Sequence, residues 1–452
     1  MTKIHADRAL LPTGWVHDVT VTLAAGRIAS VETGAQGPAD HQVGVLLPAL
    51  ANLHSHAFQR AMAGLTEYRS GGKDSFWTWR DLMYRFLEQL TPEDVEAIAA
   101  QVYVEMLEAG YASVGEFHYL HHASGGQAYA HRDEMSVRIA AAASETGIGL
   151  CHLPVLYMRG GTDDRALEGG QRRFGNDLDG FARLLEEAAR AVGAVASDAK
   201  TGVAIHSLRA VGVEALTEAA SLRPEAPVHI HIAEQVAEVS DILATHGATP
   251  VRWLLEIMDV DPRWCLIHAT HMTPAETVGL AQSGAVAGLC PITEANLGDG
   301  IFDGARYVEA GGRFGVGSDS NVRISLTGEL RTLEYSQRLR DRARAVLADA
   351  DRSSGRVLYQ GAAEGGAQAR GRHAGAIRTD AWADLVALDP ENLALAGLVG
   401  DRVLDGWIFA GDDGPVREVW SAGRHVVQGG RHFRRDGIES RFREVLGRLR
   451  QA

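Results

Sequence analysis

The stretch TGVAIHSLRAVGVEALTEAASLRPEAPVHIHIAE, residues 201–234, shows the pattern that decides the fold. It opens and closes with short apolar segments that are typical of buried strands, at 201–208 and 227–234. A longer segment with helical spacing separates them. Strands that alternate with helices in this way predict βα units and a parallel sheet.

The same alternation continues in both directions, from residue 47 to residue 378. Eight segments have the length and composition of strands: LPALANLH (47–54), ASVGEFHYL (112–120), GIGLCHLPVLY (147–157), TGVAIHSL (201–208), PVHIHIAE (227–234), WCLIHATH (264–271), AVAGLCPI (285–292) and RFGVGSDSN (313–321). Eight βα units predict an α/β fold of the (β/α)8 TIM-barrel type over residues 47–378.

The two ends of the chain have a different texture. Apolar residues recur at every second position in HDVTVTLAAGRIASVETG (17–34), and the same alternation returns in REVWSAGRHVVQGGRHF (417–433). We expect residues 1–46 and 379–452 to build one small composite domain together, a β-sandwich. The last segment, 438–452, has helical spacing and should lie on its outside.

Composition excludes several classes of protein. The chain has 452 residues, of which 46% are hydrophobic and 23% charged, as in ordinary globular proteins. A net charge of −14 works against nucleic acid as a partner, because phosphate binding needs a basic surface. The three cysteines are far apart, and no apolar run approaches a membrane span. A cytoplasmic enzyme that is neither exported nor inserted in a membrane is the expectation.

Polar side chains collect where the predicted strands end, which is the active face of such barrels. His54 and His56 are two residues apart on an extended segment, so both rings can reach one metal ion. His231, His268 and Asp319 end three later strands. Three imidazoles and a carboxylate would suit zinc or another divalent ion. Alternatively, His231 and His268 are core histidines and Asp319 caps a turn.

The motifs HSH, HIHIAE, IHATH and GSDS on strands one, five, six and eight resemble the deaminase branch of the amidohydrolase superfamily. The resemblance implies that one divalent ion, expected to be Zn²⁺, is bound by a set of four residues: His54, His56, His231 and Asp319. It also implies that Glu234, His268 and Asp319 are catalytic and move protons. Members with two metals place a modified lysine at the end of strand four, where this chain has His206.

Four further segments are similar to formimidoylglutamate deiminases: HSHAFQRAMAGLTE (54–67), SFWTWRDLMYRFLEQL (75–90), EFHYLHH (116–122) and IHSLRAV (205–211). This similarity implies conversion of N-formimino-L-glutamate to N-formyl-L-glutamate and ammonia, in histidine degradation. The substrate contacts that it implies are Gln59, Arg80, Tyr119, His206 and Arg209. Two arginines suit a substrate with two carboxylates, since a guanidinium binds a carboxylate through two parallel hydrogen bonds. Arg323 is a rival for the second carboxylate.

Two other functions stay open at this point. A deaminase or chlorohydrolase of the same superfamily could act on guanine, cytosine or a triazine, whose rings carry no carboxylate. A noncatalytic metal-binding or carboxylate-binding protein could also keep the barrel. The expected partner is a small dicarboxylate molecule, and a homodimer is the expected assembly.

Overall fold

The computed structural model describes residues 1–34, 37–67 and 76–450. Strands in the described ranges are β1 (Thr2–Leu11), β2 (Gly14–Ala24), β3 (Arg27–Thr33), β4 (His41–Pro48), β5 (Leu50–Ser55), β6 (Tyr111–His118), β7 (Gly149–Leu156), β8 (Lys200–Thr201), β9 (Val203–Ser207), β10 (Val228–Ile232), β11 (Trp264–His268), β12 (Val286–Leu289), β13 (Arg313–Val316), β14 (Leu385–Leu388), β15 (Val416–Ser421), β16 (Arg424–Gln428) and β17 (Arg431–His432).

The helices surround and connect these strands. They are α1 (Phe76–Leu87), α2 (Pro92–Glu108), α3 (Glu134–Thr146), α4 (Leu178–Gly193), α5 (Val213–Ser221), α6 (Val236–His246), α7 (Pro250–Ile257), α8 (Pro274–Ser283), α9 (Pro291–Leu297), α10 (Gly304–Glu309), α11 (Leu326–Asp341), α12 (Ser354–Ala369), α13 (Arg402–Asp405) and α14 (Arg435–Leu449). Short 3-10 turns add Ala57–Met62, Ser124–Gly126 and Gly169–Arg173, and a π turn covers Gly406–Ala410.

Eight parallel strands form the predicted barrel, in the order β5-β6-β7-β9-β10-β11-β12-β13, with β8 paired to β7. A parallel bridge between Ser55 and Asp319 joins the first strand to the last. Two backbone bonds close it: the His56 N–H donates to the Asp319 carbonyl at 2.9 Å, and the Asp319 N–H donates to the His54 carbonyl at 3.0 Å. The TIM-barrel prediction is therefore confirmed.

Each of the eight predicted strands differs from the structure by one or more residues at its limits, and two of these differences have a clear cause. The segment predicted at 47–54 is divided, because Leu47 and Pro48 belong to β4 while the barrel strand β5 begins at Leu50. Apolar residues alone could not reveal this crossing, since both strands are buried. The segment predicted at 285–292 ends early, because Pro291 takes the first position of α9, where its missing N–H is not needed.

The predicted composite β unit is present as a separate eight-stranded sheet. Its order is β17-β16-β15-β14-β4-β1-β2-β3, so four strands come from each end of the chain. β14 pairs with β4 and thereby joins the two ends. The domain limits predicted from the sequence stay a prediction.

A buried ion cluster connects this sheet to the barrel. Arg372 bonds both Asp384, Nε to Oδ2 at 2.6 Å, and Asp198, Nη2 to Oδ2 at 3.0 Å. Arg424 of β16 reaches the same Asp198 at 2.7 Å. Asp198 precedes β8, which pairs with barrel strand β7, and Asp384 precedes β14 of the eight-stranded sheet. The cluster therefore joins the barrel to that sheet. Elsewhere, none of the described helices combines the length and apolarity needed to cross a membrane.

Candidate metal-dependent active site

A cavity opens at the carboxyl ends of the barrel strands, and the side chains selected from the sequence converge on it. Those that line it are His56, Gln59, Arg80, Tyr119, His206, Arg209, His231, Glu234, His268 and Asp319. His54 is fully buried beside them. The barrel therefore assembles the predicted residues, while the individual role of each stays a prediction.

Three imidazoles face one another at the ends of β5 and β10. Nε2 of His54 is 3.1 Å from Nε2 of His231, and one ring nitrogen from each of His54, His56 and His231 lies within 4.8 Å of the others. Oδ1 of Asp319 is 3.2 Å from Nε2 of His56 and 3.5 Å from Nε2 of His54. Three nitrogens and an oxygen thus point into one small volume.

Hydrogen bonds on the outer side of two rings determine which nitrogen faces inward. Nδ1 of His56 is 2.8 Å from the carbonyl oxygen of Phe117, and Nδ1 of His231 is 3.0 Å from that of His206. A carbonyl only accepts, so each Nδ1 carries the proton and leaves an Nε2 lone pair for the centre. Histidines that bind metal have their outer nitrogen held in this way.

The charges of the centre fit a divalent cation. Burial lowers the pKa of His54 to about 3 and the pKa of His231 well below its ordinary value, so both rings are neutral. Burial alone would raise the pKa of Asp319, but His54 and His56 hold it well below its ordinary range. The centre therefore concentrates lone pairs and one negative charge, the ligand set that zinc and similar ions take.

Asp319 reaches the histidines because the last strand approaches the first very closely. A side chain at Gly317 would place its Cβ 2.6 Å from the carbonyl oxygen of His54. Glycine is therefore required for the approach. Asn52 then bonds Ser318 through both its amide oxygen and its amide nitrogen, at 3.1 and 2.6 Å, and holds the end of the strand in place.

Backbone strain is concentrated at the same strand ends. Ala233, His268, Asp319 and Asn321 have φ angles of 51, 69, 45 and 54°, in the left-handed region that residues with side chains rarely adopt. Such strain persists only where the surroundings impose it, and it clusters at active sites. These four residues follow or end strands β10, β11 and β13.

Three acidic groups surround His268. Its Nε2 is 4.0 Å from a carboxylate oxygen of Glu234 and 4.0 Å from Oδ2 of Asp319, while its Nδ1 is 3.2 Å from Oε1 of Glu294. Burial would lower the pKa of His268, but these carboxylates raise it. Burial raises the pKa of Glu234. A proton can therefore be held between these two side chains at the edge of the metal centre.

Arg209 and Arg80 line the cavity from two different elements. Arg209 follows β9 and is 8% exposed; Met158 and Arg159 fix its loop by donating backbone N–H groups to the carbonyl of Ala210 at 3.0 and 3.1 Å. Arg80 lies on α1, with its guanidinium 5.5 Å from the ring centre of Tyr84. Both guanidiniums therefore face the same space as the metal centre.

Gln59 and Tyr119 form a pair in the wall, where the Gln59 amide donates to the Tyr119 hydroxyl at 2.6 Å. Within the described ranges, the buried Oε1 of Gln59 has no hydrogen-bond donor. His206 lies next to them, with its ring centre 5.9 Å from that of Tyr119. Burial lowers the pKa of His206 well below its ordinary value, so it is neutral.

Arg323, the rival for the second carboxylate, is exposed and is not among the described residues that line the cavity. His229, which has the same strand spacing as the candidate ligands, instead faces Ala369, whose carbonyl oxygen is 2.6 Å from its Nε2. It is a core histidine.

Sequence reasoning missed several residues of the wall: Met83, Tyr84, Tyr157, Phe174, Ser207, Gln235, Glu238, Leu297 and Ser320. Tyr157 directly follows β7, so the rule that selected Tyr119 could have found it. Glu238 stands in the first turn of the helix after β10. Met83 and Phe174 belong to a helix and a loop for which no positional rule exists.

Comparisons of sequence agree with this geometry. The sequence model of the amidohydrolase family matches residues 45–426. The model of the formimidoylglutamate deiminase HutF N-terminal domain matches residues 1–44. A formimidoylglutamate deiminase of Pseudomonas aeruginosa is 49% identical over 453 residues, covering 99% of this chain and 100% of the relative.

Comparisons of structure give the same family. An amidohydrolase from Brucella melitensis superimposes with a TM-score of 0.95 at 52% identity, covering 99% of this chain and 100% of the other. An adenosine deaminase from Xanthomonas campestris with bound zinc has a TM-score of 0.83 at 21% identity, covering 100% and 99% of the two chains. The second likeness shows the fold alone.

Proposed function

The chain belongs to the amidohydrolase family, and we propose that it hydrolyses N-formimino-L-glutamate to N-formyl-L-glutamate and ammonia at a single divalent metal ion. One observation carries the proposal: the cavity that holds the histidine and aspartate centre is also lined by Arg80 and Arg209. Its relative from Pseudomonas aeruginosa, a formimidoylglutamate deiminase, supports the same substrate.

His54, His56, His231 and Asp319 would hold the ion, and Zn²⁺ suits three imidazoles and a carboxylate with a position left open. When bound, the ion would supply the Lewis acidity that lets water ionise near neutral pH.

Glu234 and His268 would move the protons. Water adds to the formimino carbon while Glu234 accepts one of its protons, and Glu234 then returns that proton to the nitrogen that leaves as ammonia. His268 would orient the attacking water. Asp319 would accept the second water proton as the formyl carbonyl forms and pass it to the leaving nitrogen, so that both protons end on ammonia. The raised pKa of Glu234, caused by burial, suits a group that must both accept and release a proton.

Arg80 and Arg209 would bind the two carboxylates of the substrate through charge-assisted hydrogen bonds. The buried Oε1 of Gln59 is an acceptor for an N–H of the formimino group. Tyr119 and neutral His206 complete the wall between these ends. The carboxylates of the substrate are thus recognised by charged groups and its formimino group by neutral ones.

The cavity suits a ring substrate less well. A guanine, cytosine or triazine ring has no carboxylate to accept the two parallel hydrogen bonds that a guanidinium donates. The noncatalytic alternative conflicts with the positions of Glu234 and His268 beside the metal centre. We expect the protein to act in the cytoplasm as a homodimer, and its net charge of −14 works against nucleic acid as a partner.

Ammonia release by the purified, zinc-loaded protein tests the proposal. N-Formimino-L-glutamate should be hydrolysed quickly, guanine and cytosine should not, and chelator treatment should abolish the reaction until zinc is restored. Release of ammonia from a ring compound, with none from the formimino compound, would replace the proposed substrate while leaving the metal centre in place.

A further inference from the structure

Glu238 is a nearly buried carboxylate in the cavity wall that the proposed reaction does not use. It stands in the first turn of α6 and is 6% exposed. Its two oxygens accept the backbone N–H groups of two preceding residues, that of Ala233 at 3.3 Å and that of Glu234 at 3.1 Å. One side chain therefore binds both peptide groups of the turn that carries Glu234.

That turn is strained. Ala233 has a φ of 51°, which a residue with a side chain adopts only under constraint. On its other side, the Ala233 carbonyl accepts the N–H of His271 at 2.9 Å, and the Ile232 carbonyl accepts the N–H of Ala269 at 3.0 Å. Glu238 is the side chain that holds the N–H side of this turn among the described residues.

Charge supports the same arrangement. Burial raises the pKa of Glu238, while Arg209 and the two N–H groups oppose that shift and favour the charged carboxylate. Arg209 in turn has Glu238 among the groups that favour its own charged form. The carboxylate thus accepts the N–H groups of the turn and also lies near enough to Arg209 for each charge to favour the other.

We propose that Glu238 is a positioning residue, which fixes the left-handed turn at Ala233 and thereby aims the Glu234 carboxylate at the reacting group. The proposal rests on the role of Glu234 in the proposed function. Glu238 itself does not exchange protons with the substrate. Without it, the turn relaxes and Glu234 loses its alignment, whereas the carboxylate-binding arginines stay in place.

Steady-state kinetics of two variants, Glu238→Ala and Glu238→Gln, test this role. Glu238→Ala should lower kcat for N-formimino-L-glutamate by about 10- to 100-fold, the usual cost of losing a residue that orients a reacting group. KM and zinc content should change little. Glu238→Gln should fall between wild type and Glu238→Ala, because an amide can accept only one of the two N–H groups and presents its own NH2 to the other.

Asp241→Asn is the matched control, since Asp241 is an exposed carboxylate on the same helix. Its kcat should equal that of the wild type. A Glu238→Ala variant with wild-type kcat, or one whose loss lies entirely in KM, overturns the proposal, because the carboxylate would then serve only the fold or Arg209.

A crystal structure of Glu238→Ala, or of Glu238→Gln if the first variant does not fold, gives a test that is independent of the substrate. Ala233 should leave the left-handed region and the Glu234 side chain should move. An unchanged turn would overturn the positioning role. If the wild type fails on N-formimino-L-glutamate, the proposed function fails, and this comparison of structures still decides the role of Glu238.

Discussion

His56 and His231 show how single residues become metal ligands through their surroundings. Each ring donates its Nδ1 proton to a backbone carbonyl, so its Nε2 lone pair must face the centre. Burial keeps His231 neutral, and a neutral imidazole needs no deprotonation before it binds an ion. The backbone therefore prepares the ligands before any ion arrives.

Glu234→Gln should lower kcat by about 10²- to 10⁴-fold, the range for a lost general acid and base. The amide keeps the size of the carboxylate but cannot accept a proton. Zinc content should be unchanged, because Glu234 is outside the His54, His56, His231 and Asp319 group. The measurements are turnover of N-formimino-L-glutamate and metal analysis of the same samples.

Glu218→Gln is the control for this change, since Glu218 is exposed on α5. It should behave as the wild type. Full turnover by Glu234→Gln with its metal retained would remove Glu234 from the mechanism.

Arg209→Met should raise KM for N-formimino-L-glutamate by roughly 10- to 100-fold, since a hydrogen bond to a charged partner contributes about 1.5–3 kcal/mol. The thioether keeps much of the volume but carries no charge. Arg323→Met, which removes the exposed rival outside the cavity, should leave KM as it is. A raised KM in Arg323→Met together with an unchanged KM in Arg209→Met would assign the substrate carboxylate to Arg323 instead of Arg209. KM from initial rates at saturating zinc decides between them.

The sequence predicted the centre of the site better than its wall. His54, His56, His231 and Asp319 end strands, and strand ends converge on one face, so their meeting follows from the fold. Met83 and Phe174 reach the cavity from a helix and a loop whose paths depend on tertiary packing. No local pattern carries that information.

Among the elements, α1 and Phe174, which directly follows the turn Gly169–Arg173, both line the cavity. Arg173 in this turn has no exposed side-chain surface and donates to three carbonyl oxygens, those of His122 at 2.8 Å, Leu90 at 3.1 Å and Leu87. Leu87 ends α1 and Leu90 follows it closely. The turn therefore holds the carboxyl end of the helix that carries Arg80.

Gly170→Ala tests this contact between elements. A methyl group at Gly170 would lie 2.9 Å from Cβ of Tyr84 on α1, a contact that cannot be relieved by a rotamer change. Overpacking of this kind costs about 1–3 kcal/mol. The helix should shift, and with it Tyr84 and Arg80, so KM should rise by about tenfold with little change in kcat.

Gly193→Ala provides the comparison, because a methyl group at Gly193 of α4 meets nothing within 4 Å. Its kinetics should match the wild type. Equal KM values for the two variants would mean that the wall formed by α1 does not contribute to substrate binding.

Prediction of the elements succeeded where the local signals were complete. The segment 91–110 predicts a helix with Thr91 as N-cap and Pro92 in its first turn, and α2 has both, with a capping box between Thr91 and Asp94. The strand predicted at 47–54 combines the end of β4 with most of β5, because the chain passes from one buried strand to the next without a turn signal. A strand that is buried on both faces lacks the alternation of apolar and polar residues that would show where it begins and ends.

For the whole molecule, the net charge has the opposite sign to the two arginines that line the cavity. The chain carries −14, which repels a dicarboxylate at long range. Screening at physiological salt limits that repulsion to about 8 Å, so the two arginines in the cavity decide binding at contact. Affinity should therefore depend on Arg80 and Arg209 far more than on surface charge.

The cluster of Asp198, Arg372, Asp384 and Arg424 connects the two layers of the molecule, and Asp198→Asn breaks two of its ion pairs. Arg372 keeps its buried partner Asp384, but Arg424 loses the carboxylate that it contacts, so the cluster retains one unbalanced positive charge. The cost should be about 3 kcal/mol, the lower end of the range for a broken buried pair. Tm should fall by several degrees at pH 7. Asp259→Asn, at an exposed position between α7 and β11, should leave Tm unchanged.

The pH dependence of that loss identifies its electrostatic origin. Burial would raise the pKa of Asp198, but Arg424 and Arg372 bring it below its ordinary value. A lowered folded-state pKa means that the charged carboxylate stabilises the protein above about pH 4 and that this stabilisation disappears as the pH falls through the folded-state pKa. The Tm difference between wild type and Asp198→Asn should therefore be constant from about pH 5 to 8 and narrow below about pH 4.

Calorimetric scans at one fixed heating rate measure this Tm difference, since unfolding of a chain this large can be irreversible. A difference that persists undiminished at pH 3 would assign the loss to packing rather than to charge.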